Sequence, residues 1–396
     1  MQRSLHFLTD AIGMLAFVGI AVTGCALSSA GAAEPKEAKP VTAPAPNAPG
    51  QGRPLVGVIR YNQSYNPGDA DLKTLSPGKW HDRVPWYLTV ADDKVSGTCD
   101  SQEAFDRDLG YAAEAGIGFF AHLNAQVGGH NDKAVKYHMA SRLRDKVKFC
   151  VILHFGKDQL KTESWDNRVK RTVEYFKHDA YQTVLGGRPL LFVFSPNRLR
   201  DAFGDRAKEH LDIFRTRARE AGLPEPYIAS MYWGDQAKEL AGLGFDCYSA
   251  YMFAGTGLEN RKGYPFARSM EANVRSWDAD TRGKDVIPNV TLGNDQRPRW
   301  EIPPPWGAFE NPWFEQPTME EMTGIVGKSL DWVEANPRRA RARAVIVYAW
   351  DEVAEGGWLV PTHTGKDARV KALGACLRRR YPDRPADARG KKAAGP

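Results

Sequence analysis

The run Ala344-Val345-Ile346-Val347-Tyr348-Ala349-Trp350 carries no charge and shows no alternation of polar with apolar residues. A strand with one wet face alternates with period two. A strand covered on both faces does not, and such strands belong to parallel sheets flanked by helices. Seven more short β-rich runs precede it, most of them apolar throughout: Leu55–Tyr61, Gly118–Leu123, Lys148–His154, Pro189–Phe194, Tyr227–Met231, Phe245–Tyr251 and Val286–Leu292. Helical patterns lie between them, among them Ser101–Ala115, Trp165–His178, Gly204–Glu220, Asp235–Ala241 and Met319–Asn336. Glycine turns such as Ala115-Gly116 and Ala221-Gly222 end several of these. Eight strands, each followed by a helix, predict an α/β fold of the (β/α)8 TIM-barrel type. An open doubly wound sheet is the alternative, but no glycine-rich phosphate loop follows the first strand.

Immediately after the opening run come Asp351, Glu352 and Glu355, then Gly356-Gly357-Trp358. Three acids within five residues, bracketed by Trp350 and Trp358, stand at the end of the last strand. Active sites of such barrels lie at the C-terminal ends of their strands. Two long insertions also follow strands: Asn62–Thr98, with Trp80 and Trp86, and Gly293–Pro317, with Trp300, Trp306 and Trp313. Both are expected to overhang the same mouth. Cleavage of a glycosidic bond needs two carboxyl groups, one to give a proton and one to take a proton or attack. A turn after the strand would bring Glu352 and Glu355 to one pocket. The alternative is a cap or a structural ion pair in the loop.

Ala349-Trp350-Asp351-Glu352-Val353-Ala354-Glu355-Gly356-Gly357-Trp358 resembles the Asn-Glu-Trp-x-Glu-Gly signature of glycoside hydrolase family 99 and the related WbsX-like glycan-processing proteins. Gly293-Asn294-Asp295-Gln296-Arg297-Pro298-Arg299 is similar to the Asp-Asn-x-x-Arg stretch of the WbsX-like group. Gly187–Phe192, Tyr175-Phe176 with Tyr181, and Gly244–Tyr248 resemble further segments of it. The likeness covers most of residues 55–375. It implies a hydrolase acting on α-mannosides within a chain, with retention through a 1,2-anhydro sugar. It also implies roles: Glu352 draws the proton from the 2-hydroxyl, and Glu355 serves as acid and then base. For that role Glu355 must hold its proton, with Glu352 or Asp351 as the neighbouring charge that raises it. Two residues depart from the signature: Asp351 replaces Asn, and Val353 replaces Trp. Asp351→Asn, which restores the family residue, is therefore expected to be mild.

Other residues expected to bind substrate are Asp351, Trp350, Trp358, Asp246, Tyr251, Asp295, Arg297, Tyr61 and Trp233, all read as lying at or near strand ends. Asn124 and His154 sit at similar levels. His122 and His154 do not have the spacing of a metal pair, and neither a metal nor another cofactor is expected. Cys99, Cys150, Cys247 and Cys376 match no zinc pattern, and Cys150 and Cys247 fall within β-like runs, as buried thiols do.

The chain has 396 residues, with Arg3 followed by the apolar run Ala11–Val22. That run is too short to span a bilayer and reads as an export signal. Val22-Thr23-Gly24-Cys25 resembles a bacterial lipobox, with Cys25 the lipidated residue. Cleavage after Ala30-Gly31-Ala32-Ala33 is the alternative. Residues 26–53 are rich in Ala, Pro and Gly and form a tether; 54–383 form the catalytic barrel and 384–396 a flexible tail. The expected location is the periplasm or outer membrane, with the lipid as the sole membrane attachment and the chain a monomer. The net charge of +6 lies largely in Arg338–Arg343 and Arg378–Arg380, read as solvated faces, and no nucleic-acid module is present. Eleven Trp, 14 Tyr and 17 Phe exceed the needs of a core and lean towards glycan binding. Three functions fit: an exported glycoside hydrolase, a glycosyltransferase-like protein of polysaccharide assembly, and a non-catalytic glycan-binding lipoprotein. Export disfavours the second, because nucleotide sugars are cytosolic.

Overall fold

The computed structural model describes residues 52–62, 65, 70–124, 130–154, 159–231, 240–305 and 310–382. The chain divides into Met1–Gln51, outside the described residues, and Gly52–Pro396, which holds the fold. Nine strands form its main sheet: β1 (Leu55–Arg60), β2 (Phe119–Asn124), β3 (Lys148–Leu153), β4 (Arg188–Phe194), β5 (Tyr227–Met231), β6 (Cys247–Ser249), β7 (Asp285–Val286), β8 (Asn289–Thr291) and β9 (Ala344–Tyr348). Their order is β7-β6-β5-β4-β3-β2-β1-β9-β8, every pair parallel, with Thr183–Val184 added antiparallel to β4. All eight expected runs are found in this sheet. Parallel pairing follows from the helical returns, and the unbroken apolar strands are buried, β1, β5 and β9 along their whole length.

The seventh expected strand, Val286–Leu292, is not continuous, and the reason is Pro288. Proline has no N–H to give to a ladder. Before it, the chain bonds β6: Val286 pairs with Tyr248, and the Ile287 N–H donates to the Tyr248 carbonyl at 3.0 Å. At Pro288 it changes sides, the Pro288 carbonyl accepting from Ile346 N–H at 2.9 Å, and Asn289–Thr291 then pair with β9. The two ends of the sheet are thus successive pieces of one stretch of chain. The fold is α/β with a curled parallel sheet of nine strands, and the expected closed ring of eight continuous strands is corrected accordingly.

Helices return the chain between strands and start where the sequence supplies caps. The Ser101 hydroxyl accepts from Ala104 N–H at the head of Gln102–Glu114, and Ser164 does the same for Trp165–Phe176. Thr318 and Glu321 form a reciprocal capping box ahead of Met319–Ala335. The expected helix at Asp235–Ala241 lies largely outside the described residues. No helix among the described residues is long and apolar enough to cross a membrane. Cys99, Cys150, Cys247 and Cys376 are all buried free thiols.

One buried carboxylate ties three parts of this frame together. Asp108, on the helix Gln102–Glu114, accepts from Arg60 Nη2 at 2.7 Å and Trp350 Nε1 at 3.1 Å through Oδ2, and from Trp86 Nε1 at 2.8 Å through Oδ1. Arg60 also donates to Asn62 Oδ1 at 3.0 Å and Tyr65 Oη at 3.1 Å, and its guanidinium lies near the Phe105 and Phe120 rings. Burial works against the Arg60 charge; Tyr65, Asp108 and Asp351 overcome it and hold the guanidinium above its ordinary range. The end of β1, the first insertion and the exit from β9 therefore meet at one acid. Asp108→Asn leaves a fully buried Arg60 without its nearest counter-charge. It is expected to lower stability by about 3–5 kcal/mol, read as an earlier urea midpoint at unchanged slope.

Candidate active site

The acidic segment after β9 folds as a miniature hairpin. Asp351-Glu352 pairs antiparallel with Gly357-Trp358, and Val353–Glu355 forms a single 3-10 turn between them. Gly356 closes the turn at φ +85°, a conformation that favours glycine. It also lies against the second insertion: a Cβ on Gly356 would stand 2.7 Å from Asp295 N, and one on Gly293 would stand 1.9 Å from Gly356 O. Glycine at both positions lets the two loops touch, and Asp295 N–H donates to the Glu355 carbonyl at 2.7 Å.

The turn gives the two glutamates different surroundings. Glu352 is 3% exposed and accepts from Tyr251 Oη at 2.7 Å. Burial pushes its carboxyl well above the ordinary range; the Glu355 charge adds to this, while Tyr251 and Arg299 work against it. Glu355 accepts from Arg299 Nη1 at 2.5 Å and from Tyr348 Oη at 2.5 Å. The rings of Tyr251 and Tyr348 lie 5.5 Å apart in an edge-to-face pair, so the two acids are served by adjacent phenols. Burial pushes both phenols well above their usual range, so each remains a hydrogen-bond donor. Burial thus raises the Glu352 carboxyl, while Arg299 and Tyr348 hold Glu355 by hydrogen bonds.

The two insertions are locked to each other over this hairpin. Arg299, in the short helix Arg297–Glu301, donates through Nε to Asp71 of the first insertion at 2.7 Å while its Nη1 holds Glu355. Arg83 of the first insertion donates to the Asp295 carboxylate and to the Asp295 carbonyl at 2.9 Å. Arg297 holds the same carboxylate in a fork, at 2.8 and 2.9 Å. Guanidinium and indole groups then alternate along the rim. Arg369 lies 3.9 Å from the Trp358 ring and Arg83 5.6 Å from it; Arg83 lies 4.6 Å from Trp80 and Arg297 5.3 Å; Arg297 lies 3.4 Å from Trp313.

A family model described as glycosyltransferase WbsX matches residues 152–373, more than half of the chain and inclusive of both glutamates. The chain belongs to the WbsX family. No curated protein matches the sequence. Among solved structures, this WbsX-family chain is similar to a "glycoside hydrolase-like protein", 12% identical, with a TM-score of 0.56 over 84% of this chain and 96% of that one. It is similar also to the family 99 endo-α-mannosidase of Bacteroides thetaiotaomicron in complex with bis-tris propane. That protein is 13% identical, with a TM-score of 0.51 over 83% of this chain and 98% of that one. At these identities the likeness is one of fold.

Within the WbsX-family fold the expected site residues separate. Tyr251 meets Glu352 directly, and Tyr61, at the end of β1, supplies a backbone N–H to Asp351. Trp350 is wholly buried against Phe120 with its N–H on Asp108, so it has no face for a ligand. Trp358 is buried under Arg369. Asp246 precedes β6, at the N-terminal end of the strand and away from the mouth, where it pairs with Arg188 at 2.9 Å and Arg215 at 2.8 Å. The Asp295 carboxylate accepts from both Arg83 and Arg297, and the Arg297 side chain, over the Trp313 ring, is 32% exposed. Trp350, Trp358, Asp246 and Asp295 thus have structural partners, and Arg297 stands at the rim. Trp233 and Cys25 lie outside the described residues. Trp80 stands in the insertion expected over the mouth, whereas sequence reasoning does not single out Arg299, Tyr348, Asp71 or Arg83. Arg299 and Tyr348 stood inside quoted motifs; nothing in the pattern around Asp71 marks it.

Asp351 has a defined task. Its Oδ1 accepts from Tyr61 N–H at 2.8 Å and its Oδ2 from Asn62 N–H at 3.0 Å, with Arg60 Nε 4.0 Å away. Burial pushes this carboxyl up, against Arg60 and the two amides, which favour its charge. An asparagine offers one acceptor and sets its NH2 against the other amide N–H. Asp351→Asn is therefore expected to destabilise by about 1–3 kcal/mol, checked by thermal and urea unfolding, rather than to act as a mild return to the family residue.

Proposed function

We propose that this WbsX-family protein is an exported glycoside hydrolase whose proton-transferring pair is Glu352 and Glu355. The observation that carries the reading is the contrast between the two carboxyls: one buried and pushed up beside a phenol, the other clamped by an arginine and a second phenol. Two carboxyl groups with opposed environments are what glycosidic cleavage requires. The curled sheet supports it by presenting its strand ends as a (β/α)8 barrel does. In this reading Glu352 gives the proton to the leaving oxygen and Glu355 acts as the base, the reverse of the roles the resemblance implies. The motif resemblance and the likeness to an endo-α-mannosidase fold support an α-mannoside within a chain as substrate. The family's description as a glycosyltransferase favours a second reading, glycosyl transfer from an activated donor.

Catalysis is tested by incubating the protein with α-mannans and bacterial envelope glycans, with nucleotide sugars as the competing donors, and following released or extended oligosaccharides. Glu352→Gln and Glu355→Gln are each expected to fold normally and to lose about 10²–10⁴-fold in rate. Because burial raises Glu352, a reaction that needs its proton declines as pH rises through that raised value. This alkaline limb of kcat/KM is expected to vanish in the residual activity of Glu352→Gln. Wild-type turnover in both glutamine variants would remove the assignment.

Export and anchoring belong to the same proposal. The apolar Ala11–Val22 run and the Val22–Cys25 box support a chain held to the bacterial envelope by lipid on Cys25. Expressed in a bacterium, the full chain is expected to partition into detergent, and Cys25→Ala to release it or block maturation. A soluble mature chain beginning at Ala33 or Glu34 would exclude the anchor and keep export.

A further inference from the structure

His154 follows β3 directly, at the edge of the sheet where the chain also leaves β9 for the glutamates. It is 5% exposed, and neither ring nitrogen has a hydrogen-bond partner among the described residues. Buried polar groups without partners are uncommon because nothing replaces the water they give up. The other buried histidines of the sheet region each have a bonded nitrogen: His122 Nε2 meets His138 Nδ1 at 2.9 Å, with His122 Nδ1 unpartnered among the described residues, and His138 Nε2 meets the Val147 carbonyl at 2.8 Å. His154 is fixed in place nonetheless. Its carbonyl accepts from the buried Arg168 at 2.6 Å, and Arg168 is paired with Glu163 at 3.1 Å. Its ring packs 5.3 Å from Phe194, which packs 4.6 Å from Tyr251, the donor to Glu352.

We propose that His154 binds the hydroxyl groups of an uncharged sugar ring held beside the Glu352–Glu355 pair. The proposal rests on the hydrolase reading above. The ligand class follows from what the ring can satisfy. A neutral imidazole has one N–H and one lone pair. An anion would satisfy the N–H alone and a cation the lone pair alone, whereas hydroxyls both accept and donate. The ring stays neutral here, because burial first, and then Arg198 and Arg168, hold it down to about 3. It therefore offers no cation to an acidic sugar.

The test uses the full chain with yeast α-mannan and its oligosaccharides. His154→Phe keeps the packing against Phe194 and removes both nitrogens. It is expected to keep or raise Tm while lowering kcat/KM by about tenfold to a hundredfold, mainly through KM. His154→Gln, which restores one donor and one acceptor, is expected to recover part of the loss. In a Glu355→Gln background, calorimetric affinity for the same oligosaccharide is expected to fall by a similar factor on His154→Phe. Wild-type kcat/KM in His154→Phe would overturn the proposal, as would a drop in Tm that accounts for the whole loss. If both glutamine variants stayed active but His154→Phe still lost affinity, the glutamate assignment would fail and the His154 site would stand. If the wild-type chain neither bound nor cleaved any of these glycans, both would fall.

Discussion

The Asp108 carboxylate takes N–H donors from three separate segments into a site with no access to water. An acid in that position is unfavourable without compensation, and the compensation is structural. Arg60 supplies the opposite charge, and the indoles of Trp86 and Trp350 each satisfy a further lone pair. Because these three donors come from the end of β1, the first insertion and the exit of β9, the same carboxylate sets where the acidic hairpin starts. Asp351 repeats the device one layer closer to the mouth, joining the hairpin to the backbone of Tyr61 and Asn62.

From that anchored start the hairpin needs no further core of its own. The second insertion supplies its roof, through the contact of Gly293 with Gly356 and the Asp295–Glu355 backbone bond. The first insertion holds the second through the Arg83–Asp295 and Asp71–Arg299 pairs. Arg299 thus reports the position of both insertions to Glu355, while Tyr251 and Tyr348, carried by the sheet, serve one glutamate each. A change in either insertion is felt at the carboxylates through one guanidinium.

The sheet was legible because a strand buried on both faces leaves a distinctive run of apolar residues, and all eight runs contribute to it. Pro288 is visible in the sequence, but the break it causes depends on which neighbour each half of the run pairs with, a tertiary fact. The hairpin that brings the two glutamates into one neighbourhood was legible from acids at the end of the last strand. Partner choice was not. Trp350, Trp358, Asp246, Asp295 and Arg297 have the chemistry of ligand-binding residues, and sequence does not distinguish a carboxylate facing a sugar from one facing an arginine 212 positions away. The tryptophan excess leans only weakly towards glycan binding, and several of those rings carry guanidinium groups.

The alternating stack of arginine and tryptophan along the rim has a consequence for how the mouth responds to its surroundings. Indole does not titrate, and guanidinium stays charged through the biological range. Even Arg369, lowered to about 10 by burial and by Arg83, keeps its charge well past neutrality. The arginine–tryptophan stack is thus indifferent to acidity, whereas burial has moved the Glu352 and Asp351 carboxyls upward. A change of acidity would therefore alter the protons on these buried carboxyls before it altered the charge of the stack around them.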